Sequence, residues 1–538
     1  MAGDTKKTAE MVIDRLGQLK PEHQLFEKLW RDCAEFCLLF HEGIGGNTDR
    51  YEISPRVFDE TAVLARAFFD CALHGMMANP AGTWYSAVTE DPNLMEKSEV
   101  REFLQNADKV THHILNNTNF HKALNKEFTH ISTFGIAPFF CGEDLYRGAY
   151  FFPAFIGNTY VAENHQGLVD TVLREHQYTA RQAAQKFGED RLPPSIKKII
   201  NATDKTDRER KFTFLHLTCP RADRDVRSRK GVDMPFASIY VNAEEKALIT
   251  EGGYHEMPWA TARWDVPWRS PYACSPAMTI LAAIKGENIM TQDNEIAGHK
   301  MLEPPMQIPL ELKGAVKMYS GGLNYFDSKK GEMKPAVTIS NVIYALEMLK
   351  DKRERIEQGF FKHLLQLPLK PDMPIIEVMA RLEEQVRVLG PMVGPLFFEL
   401  FSPSIDRIFG MFLRAGYYGR PPEILQGQPI KIQYMSSIAR AQKISEAKAA
   451  LQANEILGPL MQVWPEMKDN FDGDKIGRGV AESMGTPQNW LKDEGKRDEL
   501  RALQAQMIKE QQAIAQLAQG ADVAGKLKEA LAAAPAPS

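Results

Sequence analysis

The sequence predicts an α+β chain that is predominantly helical. Three observations carry this. Helical periodicity dominates up to about residue 132, strand alternation replaces it from Gly135 to Trp268, and helical patterning returns after Pro276. The chain has 538 residues, 44% hydrophobic and 25% charged, which are ordinary globular values. Six cysteines are too few for a disulfide framework, so reduced thiols are expected. The first ten residues lack an apolar signal core, and no apolar run of about 18 residues is evident, so no membrane span is expected. Lys+Arg 65 against Asp+Glu 70 gives a net charge of -5. Tight phosphate-gripping proteins usually carry a basic excess, so any nucleic-acid contact here should be loose or local.

A helix is expected over 8–40, with Met11, Leu16, Leu19, Leu25, Leu29, Phe36 and Phe40 apolar and Pro21 as a break. Further helices are expected at about Asp59–Met77, Ser98–Leu115 and Phe120–Ser132. In the middle region, Gln166-Gly167 between Tyr160–Glu163 and Leu168–Val172 reads as a hairpin. A short helix follows at Ala180–Phe187, then a strand at Phe212–Leu217. A second hairpin, Ser238–Val241 with Lys246–Thr250, turns around Ala243-Glu244.

After Pro276 one helix spans Ala277–Met301, stopped by Pro304-Pro305. A turn-rich stretch, Met306–Val337, leads to a helix of about 27 residues capped by Ser340. Its apolar positions are Ile343, Leu346, Leu349, Ile356, Phe360 and Leu364, and i,i+4 pairing is expected for Asp351–Arg355 and Arg353–Glu357. A Pro-rich loop follows, then a helical pattern from Ile375 to Tyr418 with a kink expected near Gly390–Pro395. The segment 436–538 is helical, with Leu500, Leu503, Met507, Ile514 and Leu517 close to a heptad and an Ala/Pro-rich end.

The chemistry-bearing motifs are weak. Gly520–Leu527 fits Gly-x-x-x-x-Gly-Lys but ends in Leu527 where a metal-binding hydroxyl belongs, and it follows a helix. Cys33 and Cys37 share a helix face without a second cysteine pair, so they read as buried thiols. His112 and His113 are adjacent and point apart. The basic run Arg221, Arg224, Arg227, Arg229, Lys230 reads as a solvated loop, with a nucleic-acid patch as the competing reading. No catalytic residue, metal or cofactor is expected.

Several segments in order resemble the head-to-tail connector, or portal, proteins of short-tailed bacteriophages. They are Phe58-Asp59-Glu60-Thr61-Ala62, Ala78-Asn79-Pro80, Trp84-Tyr85, Asn119-Phe120, Phe134-Gly135 and Glu163–Gly167. Arg263-Trp264, Tyr272–Pro276, Lys300–Pro305, Glu377-Val378, Leu389-Gly390-Pro391 and Ile438–Gln442 continue the series. The family tends to have Gly-Arg where Ala273-Cys274 stand. The resemblance implies a portal-type subunit with wing, stem, clip and crown, in a ring of twelve copies. Double-stranded DNA would pass through the ring at one capsid vertex during packaging and ejection.

On this reading 1–270 is wing, 271–300 and 340–366 are stem helices, and 301–339 is the clip. Residues 367–374 form a tunnel loop, 375–435 a kinked helix returning to the wing, and 436–538 a helical crown with a disordered tail. Leu367, Pro368, Leu369, Lys370 and Pro371 would line the channel, and Tyr319, Tyr325 and Phe326 would anchor clip partners. The implied partners are other copies of the chain, DNA, a tail adaptor, a packaging ATPase (terminase), and capsid and scaffolding proteins, without a membrane. The site of action would be the virion, after assembly in the host cytoplasm. The alternative reading is a nucleic-acid-processing enzyme subunit whose site forms only in three dimensions.

Overall fold

The fold is taken from a computed structural model. It describes residues 2–38, 56–303, 342–366, 388–434 and 472–483 with gaps of at most eight residues, and short pieces at 306–307, 334–335, 452–459 and 497–509. Two compact units emerge, one of residues 1–90 and 103–438, the other of 91–102 and 439–538.

The order begins with helices α1 (Ala2–Cys37) and α2 (Thr61–Met77), strand β1 (Tyr85–Thr89), and helices α3 (Pro92–Met95), α4 (Ser98–Asn117) and α5 (Phe120–Phe134). Strands β2 (Ile136–Asp144), β3 (Gly148–Pro153), β4 (Thr159–Glu163) and β5 (Val169–Thr179) follow, then α6 (Ala180–Phe187) and α7 (Pro194–Ile200). Next come β6 (Lys211–Pro220), β7 (Phe236–Asn242), β8 (Ala247–Tyr254) and β9 (Trp259–Arg263). The chain then forms α8 (Pro276–Thr279), α9 (Leu281–Leu302), β10 (Met306–Gln307), β11 (Lys334–Pro335), α10 (Val342–Gly359) and α11 (Lys362–Leu365). The last elements are α12 (Val388–Arg414), β12 (Ile430–Tyr434) and α13 (Gly473–Ser483).

The architecture is α+β, and among the described residues every strand pairing is antiparallel. A five-stranded sheet runs β4-β5-β6-β7-β8, and a three-stranded sheet runs β3-β2-β9. The five-stranded sheet is covered on both faces, because strand side chains alternate. Ala9, Val12 and Leu16 of α1 pack with Leu173, Leu215, Leu217, Ile239 and Val241. On the other face Ala180, Ala183 and Phe187 of α6 pack with Phe212, Phe214 and Tyr240. Both expected hairpins are present, β4–β5 with Gly167 at φ 77° and β7–β8 with Lys246 at φ 50°.

Four expectations need correction. Pro21 does not break α1, which runs through it. Pro21 is exposed, so the lost backbone bond lies on the wet side, while His23 and Trp30 beyond it are fully buried and hold the helix in place. The buried stripe of α1 is Ala9, Val12, Leu16, His23, Trp30, Cys33, Ala34, Phe36 and Cys37, so Leu16 and Phe36 are inside as expected whereas Met11 and Leu25 are exposed. The helix expected from Ser340 to about 366 breaks at Phe361, which sits at φ 56° between α10 and α11. Its ring packs beside Phe69 and Trp264, so tertiary packing overrides helical continuity.

The fourth correction concerns α12. Among the described residues it is the one helix long and apolar enough to cross a membrane by length and composition. Pro391, Pro395, Glu399 and Ser402 hide that run in a simple scan. Its apolarity serves the protein interior: Leu389, Val393, Leu396, Leu400, Phe401, Ile405, Ile408 and Phe412 are buried. The spacing slips by one residue at Leu400–Phe401, where a π turn occupies Phe397–Phe401 and the Ser402 N–H reaches the Phe397 carbonyl. Pro403, which follows immediately, has no N–H to continue the i→i−4 ladder. The irregularity therefore falls after the two prolines singled out in the sequence.

Candidate functional site

Helices α9 and α10 pair, and their bases are tied by charge to Asp59, just before α2. Arg353 of α10 donates to Asp59 at 2.7 Å and to Glu287 of α9 at 3.2 Å. Asn288 accepts from the backbone N–H groups of Phe58 (2.7 Å) and Asp59 (3.2 Å). Glu287 also accepts from Thr291 at 3.0 Å. Burial, and then the neighbouring Asp59 carboxyl, push Glu287 up to about 7. Asp59 is held below its ordinary value by bonds from Thr61 and by Arg353, which outweigh its burial. One guanidinium thus faces two carboxyls, and Glu287 is the one that takes up a proton first as pH falls. The expected Arg353–Glu357 pair is replaced by this network, and Glu357 pairs with Lys362 instead. The expected Asp351–Arg355 pair is present at 2.9 Å, fully on the surface.

The base of the pair rests on a second knot. Gly135 caps α5 at φ 81°, and a Cβ there would lie 2.5 Å from the Ala273 carbonyl oxygen and 2.6 Å from Cys274. Only glycine permits that approach. The Trp264 N–H donates to the Gly135 carbonyl (2.8 Å), Trp30 Nε1 to the Phe134 carbonyl (3.1 Å), and the Ser275 hydroxyl to the Thr133 carbonyl (2.9 Å). Ser275 also caps α8, directly before α9.

The neighbouring Arg263 is buried in a salt-bridge fork. It bonds Glu163, donates to the Gly167 carbonyl at 2.7 Å, and donates through Nε to Glu399 at 3.1 Å. Burial is the largest influence on Glu399 and raises it, against the opposing pull of Arg263. Hairpin β4–β5, strand β9 and the π turn of α12 therefore meet on one guanidinium. Arg407 does similar work further along α12, donating to the Cys141 carbonyl at 2.9 Å and the Glu256 carbonyl at 3.2 Å. Asn119 clamps β3 by exchanging two bonds with Phe151, at 2.6 and 3.0 Å, and Trp84 stacks on Phe120 at 5.9 Å.

Burial fades along the pair. Leu281, Ile284, Glu287 and Asn288 are buried at the base of α9, but Ile289, Ile296, Met301 and Leu302 are exposed, Leu302 by 83%. Among the described side chains of α10, Leu349 and Ile356 alone are buried, while Tyr344 (65%), Leu346 (55%) and Met348 are exposed. Past the far end, β10 pairs with β11, Met306 opposite Pro335 and Gln307 opposite Lys334.

The sequence-derived site residues Leu367, Pro368, Leu369, Lys370 and Pro371, and Tyr319, Tyr325 and Phe326, lie outside the described residues, as does Gly520–Leu527. Cys33 and Cys37 are buried free thiols, and burial raises Cys37 to about 12. His112 stacks on Tyr85 at 4.4 Å, while His113 faces solvent. Arg224, Arg227 and Lys230 are exposed in the β6–β7 loop, and Arg221 pairs with Glu251 at 2.9 Å. Among the described residues no three His, Cys, Asp or Glu side chains converge as a metal site.

Several of the segments that the sequence singled out, Phe58-Asp59, Phe134-Gly135, Glu163–Gly167, Arg263-Trp264 and Tyr272–Pro276, thus meet at a few knots around the base of a helix pair. A family model described as "Bacteriophage head to tail connecting protein" matches residues 9–491, so the chain belongs to that family. It is similar to the portal protein of Salmonella phage epsilon15, 30% identical over 518 residues and covering 92% of each chain. It is also similar to a probable portal protein of Bordetella phage BPP-1, 27% identical over 543 residues, covering 98% of this chain and 96% of the relative. Its role is that of a portal subunit, in a family of structural connectors found in virions at the head–tail junction.

Proposed function

We propose that this chain is the subunit of a closed ring, of twelve copies, whose bore conducts double-stranded DNA during packaging and ejection. The observation that carries the reading is the helix pair α9–α10. Its base is fixed within the chain by Arg353, yet its outer length leaves Ile296, Leu302, Tyr344 and Leu346 exposed. Apolar side chains on a rigid, braced hairpin call for cover, and neighbours in a cyclic heterologous contact supply it for every copy at once. The net charge of -5 suits a conduit, because DNA slides only where counterion-releasing contacts are few.

In this reading α9 and α10 are the stem and the segment between them is the clip, docking a tail adaptor and the packaging ATPase through Tyr319, Tyr325 and Phe326. Leu367–Pro371 forms the tunnel loop, with Lys370 as its positive charge. Residues 1–270 and the return through α12 form the wing, and 436–538 the crown. Capsid and scaffolding proteins complete the set of partners. Assembly takes place in the host cytoplasm, and motor chemistry belongs to the ATPase, not to this chain.

The test is particle mass by light scattering with negative-stain images of the purified protein, together with ATPase and nuclease assays. Rings with a central hole and no turnover support the proposal. Monomers that hydrolyse ATP or cleave DNA contradict it and favour a processing enzyme.

A further inference from the structure

His74 ends α2 and His121 begins α5, and neither takes part in the knots described above. His74 Nε2 and His121 Nδ1 lie 3.1 Å apart, with ring centroids at 5.4 Å. The opposite edge of His121 is held by Asn116, the penultimate residue of α4. Asn116 gives its amide N–H to the Pro80 carbonyl at 3.4 Å, which turns its Oδ1 toward His121 Nε2 at 2.8 Å. An amide oxygen only accepts, so Nε2 carries the proton and Nδ1 presents its lone pair to His74. Both rings are half-buried.

For His121 this is the arrangement that metal-bound imidazoles share, one ring nitrogen free to face an ion and the other donating to an oxygen that fixes tautomer and orientation. Two imidazole nitrogens each about 2.0–2.1 Å from one ion stand roughly 2.8–3.4 Å apart, for cis to tetrahedral angles. The observed separation falls in that interval.

We propose that His74 and His121 form a two-imidazole clip for a divalent transition ion, with water completing its shell, joining the end of α2 to the start of α5. Neutral imidazoles select Zn²⁺, Ni²⁺ or Cu²⁺ over Mg²⁺ or Ca²⁺. Two protein ligands make the clip weaker than a four-ligand structural zinc site. Bound metal stabilises the native chain by mass action, independently of the ring reading.

The full-length protein is titrated with ZnCl₂, NiCl₂ and MgCl₂ by calorimetry, and its thermal unfolding is followed with and without each salt. The clip predicts one site per chain for Zn²⁺ and Ni²⁺, a raised unfolding midpoint, and no response to Mg²⁺. His74→Gln and His121→Gln each abolish that site. Asn116→Ala keeps both imidazoles and weakens binding about 10-fold through the lost orienting bond. His113→Gln, one residue from His112 on the exposed side and bonded to Asn117, binds as the unaltered chain does. Should His74→Gln fail to fold, His121→Gln and Asn116→Ala decide. Absence of binding, or isotherms unchanged in His121→Gln and Asn116→Ala, overturns the clip and leaves a plain hydrogen bond between two neutral rings.

Discussion

The two ends of the α9–α10 pair are made of different chemistry. At the base, Leu281, Ile284, Glu287 and Asn288 are buried, and Glu287 and Asn288 find partners in α10 and in Phe58-Asp59 just before α2. Along the outer length, Ile296, Leu302, Tyr344 and Leu346 stand in solvent with no cover from the chain's own core. The base is specified by the chain's own sequence. The outer length is left for another surface to specify. A rigid root with an unfinished face is what a ring subunit requires, because closure depends on the angle at which each hairpin leaves its own body.

The contrast sharpens when the two guanidinium knots are broken separately. Arg263→Ala leaves Glu163 and Glu399 facing each other in a site where Arg263 itself is only 3% exposed. Removing one partner of a buried pair costs about 3–5 kcal/mol, so this is the largest expected effect, read by chemical denaturation. Arg353 is 46% exposed, and solvent screens its pairs. Arg353→Ala therefore costs less, about 1–2 kcal/mol, chiefly from leaving Glu287 and Asp59 together. Because it frees the root of the hairpin, it also reduces assembly, read by sedimentation. Asp351→Ala, on the solvent face of α10 beside that root, changes stability by about 0.3–0.5 kcal/mol.

A pH titration separates the same regions. Glu287 is raised to about 7 in the fold, above its ordinary 4.5. Between those values the native chain holds more protons than the unfolded one, so this group makes stability fall as pH rises from 4.5 to 7. Asp59 is lowered, and its contribution is present above 3.8 and disappears as pH falls through its native value. Glu287→Gln makes the slope of denaturation midpoints between pH 4.5 and 7 less negative, while the raised carboxyls Asp70, Asp108 and Asp406 keep their share of it. An unchanged slope in that variant would show that Glu287 does not share its proton with the root.

Elements were legible where the signal is local. The β4–β5 and β7–β8 hairpins carry turn residues between alternating runs, and α6 has its Thr179 cap and Gln182 in a capping box. The knots were only half legible. Arg263, Glu163 and Gly167 stood in segments that resemble the portal family, but their partnership spans about a hundred residues and leaves no periodic trace. Glu399 lay in an apolar run with nothing to distinguish it before the π turn brought it to Arg263. Arg353 was read as a helix-surface pair because i,i+4 spacing is visible in sequence, whereas Asp59, 294 residues away, is not. Pro21 and Phe361 misled for the same reason: propensity is a weak prior, and packing on both sides decided otherwise.

The most direct measurement compares the unaltered chain with an Ile296→Asp, Leu346→Asp variant by sedimentation velocity at micromolar concentration. Both side chains are exposed on the outer hairpin, so each change alters monomer stability by about 0.5 kcal/mol or less. The account predicts large closed particles for the unaltered chain and folded monomers for the variant, with unfolding midpoints nearly the same. Closed particles of equal mass from both proteins would contradict the claim that the outer faces of α9 and α10 join one copy to the next.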